Sequence, residues 1–263
     1  MRRFLGFRLA AVGSALACVL ALVPVVPASA HTASDSQHNN NYLALGDSVP
    51  FGYNPLLVPL PPPPSPSLDP SLFIGYPQLA ANLFTPKLNV FNASCPGETS
   101  TSLITGKLSD DNGCQLYRSY IGQLHVSYTG SQFSYAKDYI ASNPGTKFVS
   151  LMVGGNDLLL LQDGCKAKTP SVNFNACIIQ AIASVDVVLA GVTKSFGGKA
   201  ADGFGRFAKA AAPYGGDTCA AGLLIQLPSG GCDIHPSSTG AALLASALYT
   251  AERQPDLFAA ERR

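Results

Sequence analysis

The sequence predicts an α/β fold in which parallel strands alternate with helices, and three observations support this prediction. Short apolar runs with the length of buried strands occur at residues 42–45, 88–91 and 148–153. Helical patterns lie between and after these runs, at residues 74–83, 131–143, 175–191 and 239–251. Each apolar run ends in a turn of small residues. This alternation is typical of βαβ units and hence of a parallel sheet.

The first 30 residues have the organisation of a secretory signal peptide. Arginines without any acidic residue precede an apolar run over residues 9–26, and Ala28-Ser29-Ala30 provides a small-residue cleavage site after Ala30. A membrane anchor is the alternative, because the run is about long enough to span a bilayer. Gly13, Ser14 and Pro24 within the run favour a cleaved signal peptide (residues 1–30) and a secreted protein.

Residues 31–40 are polar and are expected to form a disordered lead-in. The remaining residues, 41–263, are enough for one sizeable core, so we predict a single domain.

The charge balance argues against a nucleic-acid partner. The chain has 17 basic and 16 acidic residues, and cleavage of the signal peptide removes three arginines, which leaves a net charge of −2. Lysine and arginine form no cluster that could follow a phosphate backbone. We therefore expect a small or neutral molecule as the binding partner. We also expect a monomeric protein, without a stable membrane anchor once the signal peptide is cleaved.

Six of the seven cysteines remain after the signal peptide is removed, and an even number in an exported chain predicts three disulfides. Six cysteines allow 15 connectivities. Their local grouping makes one set the simplest choice, namely Cys95–Cys114, Cys165–Cys177 and Cys219–Cys232. Zinc binding is the alternative, but the chain has no C-x-x-C motif and one well-placed histidine. We expect no metal and no cofactor.

The first strand leads directly into a candidate nucleophile. Residues 42–45 are followed by Gly46-Asp47-Ser48, and Pro50 and Gly52 then break the strand. A serine on a tight turn at the carboxyl end of a strand has an exposed hydroxyl beside backbone N–H groups, which is where a nucleophile is placed. The alternative is an ordinary turn, since so short a motif also arises by chance.

A proline-rich stretch follows at residues 54–70 and predicts an extended loop. This loop either shapes a substrate groove near Ser48 or is a stiff surface loop without a role. The helix expected at residues 74–83 tolerates Pro77 in its first turn.

The second and third strands also end in turns that carry candidate site residues. Gly97 follows the second strand, and Gly155-Asn156-Asp157 follows the third. Because sites in parallel sheets form beyond the carboxyl ends of the strands, we expect Ser48, Gly97 and Asn156 to converge. The helix at residues 131–143 is predicted to be amphipathic, with one apolar face formed by Phe133, Ala136 and Ile140.

His235 is the candidate general base. It follows Asp233 by two residues in Asp233-Ile234-His235-Pro236, before a C-terminal helix at residues 239–251. In an extended segment, residues i and i+2 project to the same side, so Asp233 can reach the imidazole ring. A lone histidine is usually structural, but an acid partner and an exposed serine favour catalysis.

These four motifs, in this order, resemble the SGNH (GDSL) hydrolase family, and the resemblance covers most of the chain from Asn41 onward. The local cysteine pairs resemble its secreted bacterial lipase/esterase branch. The resemblance implies a flavodoxin-like, three-layer α/β/α fold and hydrolysis of carboxylic esters without a cofactor or metal. It also implies a catalytic triad and an oxyanion hole. Ser48 would be the nucleophile, His235 the general base and Asp233 its orienting acid, and the oxyanion donors would be Ser48, Gly97 and Asn156.

One region departs from the family pattern. After Gly191 the family continues with another apolar strand, a helix and a further strand before its Asp-x-His motif. Here residues 192–212 contain no convincing strand, and only a short apolar run at residues 223–227 follows. The sequence thus predicts that one strand–helix unit is missing after residue 191, which leaves the third strand near a sheet edge. We expect lower stability and a displaced His235 as consequences.

The first interpretation is therefore an exported lipase or esterase that acts on a small-molecule or lipid ester. A carbohydrate acetylesterase is the alternative within the same chemistry. From a different class, the alternative is a catalytically impaired, secreted SGNH-like binding or structural protein, which the missing unit favours.

Overall fold

The computed structural model describes residues 40–59, 67–167 and 198–253. The predicted signal peptide, nearly all of the lead-in, the middle of the proline-rich loop and the predicted helix at residues 175–191 lie outside the described residues. Cys177, and with it the predicted Cys165–Cys177 pair, also lies outside them.

Three parallel strands form the central sheet, which confirms the α/β class and the parallel sheet. They are β1 (Asn41–Gly46), β2 (Asn89–Asn92) and β3 (Thr146–Met152), in the order β2-β1-β3. All six residues of β1 are buried, as expected for a central strand that is covered on both faces.

Helices cover both faces of this sheet. In the described residues they are α1 (Ser48–Phe51), α2 (Tyr76–Ala81), α3 (Ser100–Thr105), α4 (Gly113–Tyr120), α5 (Gln132–Ser142), α6 (Gly155–Ala167), α7 (Gly203–Ala211) and α8 (Ser238–Arg253). Alternate residues of β1 point to opposite faces: Leu43 packs with the tyrosine and alanine side chains of α5, whereas Tyr42 packs with α2 and α8. The arrangement is compatible with three layers.

The buried face of α5 differs from the predicted one. Phe133 and Ile140 are 50% and 44% exposed, whereas Gln132 is fully buried together with Ala136 and Tyr139. The helix is rotated so that the Gln132 side chain meets the backbone at the end of β1. A buried backbone N–H without an acceptor is costly, and Gln132 supplies the acceptor for the Gly46 N–H, which favours this orientation.

The chain after residue 198 forms no further parallel strand in the described part. It forms α7 and then an antiparallel pair, β4 (Leu224–Gln226) and β5 (Cys232–Pro236). Among the described strands β3 therefore lies at a sheet edge, and its Val149 and Leu151 side chains are 43% and 55% exposed. Residues 198–212 thus form no strand, as predicted, whereas residues 192–197 lie outside the described residues.

Two of the predicted disulfides are present. Cys95–Cys114 links the turn after β2 to α4, with a Cα–Cα distance of 5.3 Å, and Cys219–Cys232 links the start of β5 to the segment before β4, at 5.7 Å. No helix in the described ranges is long and apolar enough to cross a membrane.

Candidate active site

Ser48 lies on a tight turn that begins at Gly46, a position where no residue larger than glycine fits. Gly46 has a φ of +133°, and a Cβ there would lie 1.9 Å from the carbonyl oxygen of Met152. The next amide, that of Asp47, donates a hydrogen bond to the same Met152 carbonyl at 3.1 Å. The chain then turns directly into α1, and the Asp47 carboxylate accepts the N–H of Val49 at 2.9 Å as the N-cap. The serine hydroxyl is thereby held just beyond the end of β1.

His235 contacts Ser48 although 187 residues separate them in the chain. The distance from His235 Nε2 to Ser48 Oγ is 2.8 Å. Asp233 Oδ1 contacts His235 Nδ1 on the other side of the ring and also accepts the backbone N–H of His235 at 3.0 Å. The structure therefore brings together the three predicted triad residues.

The predicted displacement of His235 is wrong. The β4–β5 hairpin that carries it is held by contacts that involve no further parallel strand: Ser237 donates its backbone N–H to the Leu223 carbonyl at 2.9 Å and its hydroxyl to the Gly222 carbonyl at 2.7 Å. The helix that follows, α8, packs against α2 through Ala245 and Ala80. The hydrogen bonds of Ser237 close a short loop between residues 222 and 237, and closing a short loop costs little entropy. They hold His235 in place without a further parallel strand.

The geometry defines the tautomer of His235. A carboxylate only accepts hydrogen bonds, so the proton of the neutral ring lies on Nδ1 and the Nε2 lone pair faces the Ser48 hydroxyl. Such a ring can accept the serine proton and hold the resulting positive charge beside Asp233. The Tyr53 ring lies 4.9 Å from the His235 ring and covers it from one side.

Gly97 lies in a turn adjacent to the end of β1. Its φ is +80°, and a Cβ would approach the backbone of Gly113 to 2.8 Å, so a larger residue would displace one of the two segments. Cys95 donates its N–H to the Gly46 carbonyl at 3.0 Å, which places this turn next to the Ser48 turn. Within the described residues, the backbone N–H groups of Ser48 and Gly97 have no hydrogen-bond acceptor.

Asn156 contacts the Gly97 turn from a third direction. It lies in the first turn of α6, and its Nδ2 donates to the Glu98 carbonyl at 2.8 Å. A primary amide has a second N–H, so this bond leaves one donor of Asn156 for another acceptor. The neighbouring Asp157 accepts the N–H of Ser100 at 2.9 Å and links the same two segments.

A cavity of about 180 Å³ lies near α1 and the end of β5, and neither Ser48 nor His235 lines it. Its lining includes Val49, Tyr53, Leu57, Ile74, Ile225 and Pro236. The lining also contains the polar residues Asn54, Ser237 and Ser238. Leu57 belongs to the described start of the proline-rich loop, so part of this loop lines a cavity.

Two buried polar residues at the site were not anticipated from the sequence. Gln132 is fully buried and bonds to both backbone groups of Gly46, and Glu98 is 2% exposed and bonds to Gln132. Burial raises the pKa of Glu98, although hydrogen bonds from Ser102 and Gln132 oppose the rise. The sequence does contain one indication that Gln132 is buried. Gln132, Ala136 and Tyr139 have the i, i+4, i+7 spacing of one helix face. Among the described residues, no group of three histidine, cysteine or acidic side chains could hold a metal ion.

Asp47 is buried beside Ser48, and burial makes the ionisation of its carboxyl group less favourable than in water. Burial raises the pKa of Asp47 to about 6, and the Asp157 and Glu98 carboxylates add to the rise, against the hydrogen bond from Val49. The folded protein thus binds this proton more tightly than the unfolded chain does. The free energy of unfolding therefore falls as pH increases from about 4 to about 6, and the loss persists at higher pH.

Replacing Asp47 with asparagine is expected to remove this loss, since a neutral amide oxygen can still accept the Val49 N–H. At about pH 8 the Asp47→Asn protein should be more stable than wild type by about 2–3 kcal/mol, with the gain vanishing near about pH 4. Urea unfolding across this range measures the difference. An unchanged or lower stability of the variant at the higher pH would contradict the assignment.

Comparison of the chain with models of protein families, with curated proteins and with solved structures found no match.

Proposed function

We propose that this protein is an exported serine hydrolase of the SGNH type that cleaves carboxylic esters. The observation that carries the proposal is the hydrogen-bonded series Ser48–His235–Asp233. Two segments that are distant in sequence meet here, just beyond the carboxyl end of the central strand β1. A serine, an imidazole that faces its hydroxyl and a half-buried carboxylate on the other side of the ring are the parts of a nucleophilic acyl-transfer site.

In the proposed reaction, Ser48 Oγ attacks the ester carbonyl while His235 Nε2 accepts the serine proton. Asp233 stabilises the imidazolium that forms, and His235 returns the proton to the departing alkoxide. The free N–H groups of Ser48 and Gly97, with the second N–H of Asn156, donate to the oxyanion of the tetrahedral intermediate. Water activated by the same histidine then releases the acid from the acyl-enzyme.

The resemblance to the secreted lipase/esterase branch favours a lipid or small-alcohol ester as the substrate. We therefore favour an esterase or lipase over a carbohydrate acetylesterase. Export is supported by the signal-peptide pattern together with the two disulfides.

A secreted SGNH-like binding protein without turnover is the second candidate. The exposed apolar side chains of β3, at an edge that a further strand would cover, favour it, because a shortened sheet can bind without retaining catalysis. The two candidates differ in whether Ser48 is an activated nucleophile.

Reaction with a fluorophosphonate tests the proposal, because this reagent forms a covalent bond with an activated serine. The mature protein, residues 31–263 with its disulfides formed, should take up one label on the Ser48 peptide, as measured by mass spectrometry. Ser48→Ala should take up none, whereas Ser71→Ala, which alters an exposed serine, should react like wild type. A folded wild-type protein that takes up no label would support the binding protein.

A further inference from the structure

The Gln132 side chain pairs with the backbone of Gly46, the last residue of β1. Its Oε1 accepts the Gly46 N–H at 2.9 Å, and its Nε2 donates to the Gly46 carbonyl at 2.7 Å. A side-chain amide has the same donor and acceptor groups as a peptide unit, so it can pair with Gly46 as a strand would. The Gly46 carbonyl also accepts the N–H of Cys95, which follows β2, at 3.0 Å. Gly46 is thereby held on this side by Gln132 and on the other side of the turn by Met152, through Asp47.

The remaining N–H of the same amide extends this network to the second turn of the site. Gln132 Nε2 also donates to Glu98 Oε2 at 2.7 Å, and the other oxygen of Glu98 accepts the Ser102 hydroxyl. Glu98 directly follows Gly97, and its carbonyl accepts the Asn156 side-chain amide at 2.8 Å. One buried glutamine therefore contacts the Ser48 turn and, through Glu98, the Gly97 turn and Asn156.

We infer that Gln132 and Glu98 are positioning residues, which hold the N–H groups of Ser48 and Gly97 and the amide of Asn156 in one arrangement around the oxyanion. This inference rests on the proposed function. Neither side chain touches the substrate; each acts through the backbone or side chain of a donor.

The physical basis is that an oxyanion site works only when its donors are positioned precisely. Oxyanion donors must hold their geometry to within about 0.5 Å to stabilise a developing charge. The residues that carry them lie on glycine turns, which have more conformational freedom than other segments and need external partners to become rigid. A fully satisfied buried amide supplies such a partner at low cost, whereas a buried polar group without one would destabilise the fold.

The experiment compares steady-state ester hydrolysis by wild type, Gln132→Met and Glu98→Gln. Methionine has a similar length and no N–H donor, so Gln132→Met should lower kcat by about 30- to 100-fold and change KM by less than about threefold. Glutamine at position 98 can still accept the hydrogen bond from Gln132, so Glu98→Gln should lose less than about tenfold in kcat. Binding of a boronic acid, which forms a tetrahedral adduct on serine, should weaken in parallel with kcat.

A merely structural role is separated by a matched control in the same helix. Ala136→Gly destabilises α5 by about 1 kcal/mol without contacting Gly46 or Glu98 and should leave kcat and boronate affinity unchanged. If Gln132→Met does not fold, Glu98→Met breaks the same network from the other side and should show the same loss in kcat.

Three results would overturn the inference. They are a folded Gln132→Met or Glu98→Met protein with wild-type kcat, a loss confined to KM, and an equal loss in Ala136→Gly. Failure of the proposed function is a different result, since wild type itself would then show no turnover above Ser48→Ala.

Discussion

Replacing Ser48 with alanine is expected to lower kcat for p-nitrophenyl ester hydrolysis by about 10⁴- to 10⁶-fold. Without the hydroxyl no acyl-enzyme forms, and only the proposed oxyanion donors and the binding of the ester remain to assist attack by water. The change removes one oxygen from a partly exposed position, so the free energy of unfolding should stay within about 0.5 kcal/mol of the wild-type value.

The measurement uses acetyl and longer-chain p-nitrophenyl esters with the mature protein, and Ser71→Ala serves as the matched control. The chain-length profile of wild type then separates an acetylesterase from an enzyme for longer acyl groups. Equal activity of Ser48→Ala and wild type would show that another group carries the hydrolysis and would remove Ser48 as the nucleophile.

Replacing His235 with glutamine is the second change with a large expected effect, about 10⁴- to 10⁶-fold in kcat with little change in KM. Glutamine can still form a hydrogen bond near Ser48 Oγ but cannot accept the serine proton at neutral pH. The ground-state complex should therefore form normally, while the attack on the ester carbonyl loses its general base.

The chain offers a matched control for this substitution in His125. Its Nε2 lies 3.0 Å from the Phe51 carbonyl, and burial lowers the pKa of the ring, so it is a neutral, structural histidine. His125→Gln should keep kcat within about threefold of wild type, even where it lowers the stability of the fold. Similar losses in both variants would mean that His235 acts through stability rather than as a base.

The turns of Ser48 and Gly97 and the pairing of Asp233 with His235 could be predicted from the sequence because each depends on local chemistry. Gly46 and Gly97 adopt backbone conformations that disfavour other residues, so their turns are visible as short motifs after apolar runs. Asp233 and His235 lie two residues apart in an extended segment, and that spacing alone puts both side chains on one side. The α/β class followed in the same way, from the alternation of apolar runs and helical patterns.

The buried face of α5 and the position of His235 depend on contacts between distant segments, so only the tertiary structure decided them. Apolar periodicity favoured Phe133 and Ile140 as the buried face of α5, but hydrogen bonds to the Gly46 backbone bring the glutamine inward instead. The hairpin contacts, not the number of strands, hold His235 at 2.8 Å from Ser48. The sequence by itself determined which residues could do chemistry, because turn conformations and neighbouring side chains are local. Only the tertiary structure determined which buried polar groups support them, because a hydrogen-bond partner 86 residues away leaves no local pattern.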